Sequence, residues 1–158
     1  MGFFSNWFKQ KAKFTDGASE CVSSAIHSIL MVGKIATSRD LNYLALDESK
    51  LKDFVFKYHD TSLIGYHSNS DEFPDCDDFA AIAYSGCLRG AIKEGFKYPP
   101  VFGMISVKLK KGAYLYHRLN FAMTSRGQIL IYEPQTGVWK TLQDYATYDM
   151  DCITGVDL

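Results

Sequence analysis

The spacing of hydrophobic positions divides the chain into two halves. Between residues 18 and 33, Cys21, Val22, Ala25, Ile26, Ile29 and Leu30 recur at helical intervals, with Asp16 placed as N-cap. Residues 48–60 repeat the pattern: Leu51, Phe54, Val55 and Tyr58 share a face behind Asp47. A third helix is predicted over 76–94. Pro74 stops anything helical before it, and Asp75 can cap it. Asp78 then completes a capping box with Asp in place of Glu. Ala80, Ala81, Ala83, Gly86 and Gly90 are small, so this helix can approach a neighbouring sheet closely, and Gly95 suits its end.

After Pro99-Pro100 the pattern becomes that of strands. Strands are predicted at 101–109, 113–124, 128–133 and 138–142, with Lys110-Lys111-Gly112 as the first turn and an added edge strand at 152–156. Helices first and an antiparallel sheet second is an α+β layout, N-terminal helices packed on a C-terminal antiparallel sheet. The 158 residues suffice for one domain and one core. The expected division is an amphipathic arm over 1–15 and a single domain over 16–158. In the arm, Phe3, Phe4, Trp7 and Phe8 alternate with Lys9, Lys11 and Lys13, giving a helix that docks on its own domain, on a membrane or on a protein partner.

Nearly half of the residues are hydrophobic, which excludes a disordered chain, and a net charge of -1 gives no support to a nucleic-acid partner. Cys21, Cys76, Cys87 and Cys152 form no CxxC pair, so neither a zinc site nor a disulfide framework is expected. Free thiols fit a reducing, cytoplasmic compartment or a virion-associated protein. No segment approaches the roughly 20 apolar residues of a membrane span, and the start lacks the pattern of a signal peptide.

Chemistry concentrates on Cys76, His117 and Glu133. A thiol at a helix start lies near unpaired N–H groups and the positive end of the dipole. Asp71, Glu72, Asp75, Asp77 and Asp78 oppose a thiolate there, and a nearby imidazolium can overcome them. His117 supplies the imidazole. The loop Ser125-Arg126-Gly127, with glycine last, predicts a type I turn with a bulge. Thr124 then opposes Gln128 and Leu119 opposes Glu133, so His117 and Glu133 become diagonal neighbours on one face, about 7–8 Å apart at the backbone. Pro134 ends that ladder, letting Gln135 and Thr136 bend toward the site.

The strings Asp75-Cys76-Asp77-Asp78-Phe79-Ala80, His117-Arg118-Leu119-Asn120 and Ile131-Tyr132-Glu133-Pro134-Gln135-Thr136-Gly137 resemble the papain-like cysteine peptidase domain joined to a lectin in some fungal agglutinins, with related small domains in bacterial and phage proteins. The resemblance spans about residues 60–142 and implies a papain-like fold. It implies a hydrolase acting on a peptide or isopeptide bond through a thioester, with Cys76 as nucleophile, His117 as base and acid, and Glu133 orienting the ring. Asn69 stands where the papain group has its oxyanion glutamine; Asn120 and Gln135 are further support residues. No cofactor is required. The resemblance suggests calcium, with Asp77 and Asp78 as ligands, against plain capping by the same residues. Two other readings stay open: an inactive interaction module of a phage or bacterial particle, and a calcium-binding regulatory domain.

Overall fold

A computed structural model describes residues 14–15, 18–22, 36–37, 42–65, 74–111 and 116–158, with side chains from residue 42 onward. Nine strands and three α-helices are assigned among them. The strands are β1 (Phe14–Thr15), β2 (Ala18–Val22), β3 (Ala36–Thr37), β4 (Asn42–Leu46), β5 (Phe102–Leu109), β6 (Tyr116–Met123), β7 (Ile129–Glu133), β8 (Val138–Thr141) and β9 (Met150–Asp157). The helices are α1 (Glu48–Tyr58), α2 (Cys76–Lys93) and α3 (Leu142–Tyr148). The arm expected over 1–15 falls almost wholly outside the described residues, as does Asn69.

The main sheet has the order β3-β9-β5-β6-β7-β8, antiparallel except where β3 runs parallel to β9. A second sheet joins β1, β2 and β4. The expectation of N-terminal helices alone is therefore corrected. Residues 18–22 form a strand because their backbone pairs with β4 along its whole length, and that long-range pairing overrides helical spacing. The tail is also corrected: β9 lies between β3 and β5 rather than at an edge.

Two helices form as their sequences dictate. Asp47 accepts from the Lys50 N–H at 3.0 Å and starts α1. Both bonds of the capping box between Asp75 and Asp78 are present and start α2. At the far end, Gly95 takes φ +71°, where a side chain would be strained. The glycines of α2 serve a different neighbour from the one expected. A Cβ at Gly86 would collide with the Tyr58 carbonyl, and one at Gly90 with the Tyr58 ring, so these glycines admit the end of α1 rather than the sheet.

The main sheet is covered on both faces. Toward α1 and α2 it buries Phe102, Ala122, Leu130 and Tyr132 against Leu51, Val55, Ala83 and Cys87. Toward α3 it buries Ile105, Val107, Leu119, Phe121 and Ile131 with Tyr145. Alternation along β5, β6 and β7 produces this division, one apolar set per face. The α3 helix stands where the sequence reading ended a strand. Thr141 caps it, accepting from the Asp144 N–H at 3.0 Å.

Candidate functional site

The hairpin between β6 and β7 sets the site's register. Asn120 pairs with Tyr132 and Met123 with Ile129. Thr124 and Gln128 flank the turn, the Thr124 N–H donating to the Gln128 carbonyl at 2.9 Å, and Gly127 has φ +78°. This is the register that the glycine-terminated loop dictates. The ladder stops at Asn120–Tyr132. Beyond it His117 and Glu133 meet through side chains, His117 Nε2 lying 2.7 Å from Glu133 Oε2.

The head of α2 brings the third group. The Cys76 side chain lies near enough to the His117 imidazole to favour its charged form. Nε2 is engaged by Glu133. Burial of the ring disfavours its charge, but the bonds from Cys76 and then Glu133 outweigh it and push the His117 pKa up to about 9. The ring therefore favours its charged form near neutral pH. Cys76 is half-buried, His117 and Glu133 likewise.

Glu133 is fixed as well as placed. Its carbonyl accepts from Thr136 at 3.2 Å and Gly137 at 2.8 Å. Its Oε1 accepts from the Gln135 N–H at 3.4 Å. Gln135 thus supports the acid through its backbone, and its carbonyl in turn accepts from Gly65 at 2.6 Å. Asn120 braces the elements behind the site. It is fully buried and donates through Nδ2 to the carbonyls of Ala80, at 2.9 Å, and Gly103, at 3.2 Å, so it ties α2 to β5 rather than facing the sulfur.

The acidic cluster divides. Asp78 accepts from the Asp75 N–H at 3.2 Å, the capping role set beside its expected role as a metal ligand. Donor atoms of Asp75, Cys76 and Asp77 lie within 4.8 Å of one another. The Asp75 carboxyl is held below the usual carboxylate range, chiefly by a hydrogen bond with the Asp77 side chain, and the same bond pushes Asp77 up. Calcium takes about six to eight oxygen ligands. Two carboxylates that share a hydrogen bond, with a sulfur between them, do not fit it.

Three further features complete the surroundings of the site. His59 is buried, with Nδ1 2.7 Å from the Tyr132 hydroxyl, and burial lowers its pKa. Trp139 stacks on the same tyrosine, with centroids 4.6 Å apart. A cleft of about 470 Å³ lies between α3 and the strands β7 and β8, with Glu133 in its wall. Thr141-Leu142-Gln143-Asp144, with Tyr145 and Ala146 following, held the signal for α3 and hence for the cleft.

No protein-family model and no curated protein matches the chain. Solved structures do. The chain is similar to a Polyporus squamosus lectin bound to the human-type influenza-binding epitope Neu5Aca2-6Galb1-4GlcNAc, with a TM-score of 0.63 and 18% identity. It is similar also to the PSL1a–E64 complex, with a TM-score of 0.64 and 18% identity. These matches cover 88% of the chain and 49% and 51% of the respective neighbours, so the chain spans about half of their length.

These neighbours overturn several expectations. They are lectin structures, and neither is named as a peptidase. The mixed α/β composition stands, but the papain-like assignment is withdrawn, and with it the cysteine hydrolase acting on peptide bonds. The inactive papain-like module of a phage or bacterial particle and the calcium-binding regulatory domain have no support from them either. The physical reason is general: a thiol, an imidazole and a carboxylate in contact define a chemical capability, and neither they nor the fold establish turnover. Among the described residues, no helix is long and apolar enough to cross a membrane.

Proposed function

We propose that the chain is a ligand-binding domain centred on a nucleophilic thiol. Cys76 is the sulfur nucleophile, His117 the imidazolium beside it, and Glu133 the carboxylate that orients the ring. The carrying observation is the contact of His117 with both partners, Glu133 at 2.7 Å and the Cys76 side chain. The sulfur adds to the carbon of an electrophilic double bond; the C–S bond forms as the π bond breaks, and the proton passes by way of His117 to the far atom of that double bond. The reading is stoichiometric capture of an electrophile, one per chain.

Alkylation with iodoacetamide at pH 7 and mass mapping test this reading. Cys152 is exposed and serves as the internal reference, while Cys87 is buried and its thiol pushed up. Cys76 is expected to react at least about tenfold faster than Cys152, and the excess to vanish in His117→Ala. Equal rates at Cys76 and Cys152 would sink the reading.

A second reading comes from the neighbours. One of them is a lectin bound to a sialylated trisaccharide, which favours a glycan or a protein as the partner and gives a peptide substrate no support. The strings around Cys76 and Glu133, together with a match to half of a fungal lectin chain, support kinship with a domain carried by fungal agglutinins. Calorimetric titration with that trisaccharide tests the glycan reading, and the absence of saturable heat removes it for this sugar.

A further inference from the structure

The cleft beside α3 is built rather than incidental. Its floor is Leu109, Ile131 and Val138, and its walls include Tyr145 and Tyr148. Val138 and Lys140 of β8 oppose Glu133 and Ile131 of β7, so these four residues present one face to the cleft. The short α3 would be marginal alone, and it is clamped from three sides. Thr141 caps its start. Lys110 Nζ donates to the carbonyls of Ala146, at 2.7 Å, and Thr147, at 2.8 Å. Lys140 pairs with Asp149 at 2.8 Å.

Charge in the cleft is unevenly satisfied. Glu133 is engaged by His117, and Asp149 by Lys140. Lys111 lies at the exposed rim, and among the described residues no carboxylate pairs with it. Val138 is 48% exposed and Tyr148 75% exposed, so apolar and aromatic surface stands open beside that cation. A volume of about 470 Å³ lies in the range of small-molecule pockets. Glu133 repels an anion and Lys111 attracts it, so the charge of an amphiphile is drawn to Lys111.

We propose that this cleft binds a small amphiphilic carboxylate, its apolar body laid on Ile131, Val138 and Tyr148 and its charge paired with Lys111. The site does not depend on the chemistry of Cys76, although Glu133 borders both.

Titration of ¹⁵N-labelled protein with 4-phenylbutyrate, compared with the uncharged 4-phenylbutan-1-ol, tests the proposal. Saturable shifts are expected at the amides of Ile131, Val138 and Tyr148, with the acid bound about fivefold more tightly than the alcohol, as one exposed ion pair allows. Lys111→Glu should remove that preference, and Tyr148→Ala should weaken both ligands. Equal affinity for acid and alcohol, or shifts gathered elsewhere, overturns the proposal. If the acid fails to bind while Cys76 still alkylates rapidly, the cleft proposal alone falls and the thiol reading survives.

Discussion

Glu133 Oε2 and His117 Nε2 lie 2.7 Å apart across a hairpin, sixteen residues distant in sequence. The two strands are no longer backbone-paired at that level, so the contact is a side-chain union of a carboxylate with an imidazolium. Glu133→Gln preserves the shape and removes the charge. The His117 pKa should then fall from about 9 toward its ordinary value, because one of its two supporting partners is lost. Titration of the ring Cε1–H signal by NMR measures this directly. Alkylation of Cys76 should slow by about tenfold, on the scale of other carboxylate partners of functional histidines. An unchanged ring titration would deny Glu133 its orienting role.

Stability should depend on pH through two histidines of opposite sign. The folded-state pKa of His117 is raised, so its contribution is fully present below about pH 6.5 and is lost as pH climbs through about 9. The full shift corresponds to on the order of 3 kcal/mol. His59 is the reverse case. Its pKa is lowered by burial, so its contribution is present above about pH 6.5 and is lost as pH falls, when the buried ring must charge. Urea unfolding across pH 5 to 10 should therefore peak near neutrality. His117→Gln should flatten the alkaline limb, and His59→Gln the acid one. An alkaline limb that survives His117→Gln would contradict the assignment.

Asn120 should matter to stability and not to reactivity. Asn120→Ala removes donors from two carbonyls in a site without exposure and should cost about 1–3 kcal/mol in urea unfolding. The rate of Cys76 alkylation below the unfolding transition should be unchanged. A large fall in that rate would instead place Asn120 in the site's chemistry.

Gly86 and Gly90 test the fit of α1 against α2. Gly86→Ala drives a methyl into the Tyr58 carbonyl, which is backbone and yields little. A loss of about 1–3 kcal/mol is expected, as for overpacking elsewhere. Gly90→Ala meets Cγ at the root of the Tyr58 ring, which ring rotation leaves in place, and should destabilise as well. Full tolerance of both substitutions in thermal unfolding would mean that α1 is not held there.

Local chemistry made part of this molecule legible in its sequence. Pro74, Asp75 and Asp78 stated where α2 begins, and Gly127 at the end of its loop stated the β6–β7 register, because each rule involves residues within a few positions. From that register the meeting of His117 and Glu133 followed. Residues 18–22 were misread because their partner strand β4 lies some twenty residues away, and periodicity carries no information about pairing. The partners of Asn120 were not legible because sequence does not say which carbonyls a buried amide will find. The α3 helix was lost at Leu142, where its first residue also continues the alternation of β8. The kind of ligand was not legible at all: the residues declare a thiol and its neighbours, while the shape is one shared with lectin structures.

Glu133 is gripped at its carbonyl by Thr136 and Gly137, and at its side chain by Gln135 and His117. A group tethered at both ends cannot swing aside to admit an incoming molecule. Whatever yields when a ligand reaches the sulfur must therefore be the imidazole or the first turn of α2, and paired free and alkylated structures should superpose at residues 133–137 while differing at Cys76 and His117.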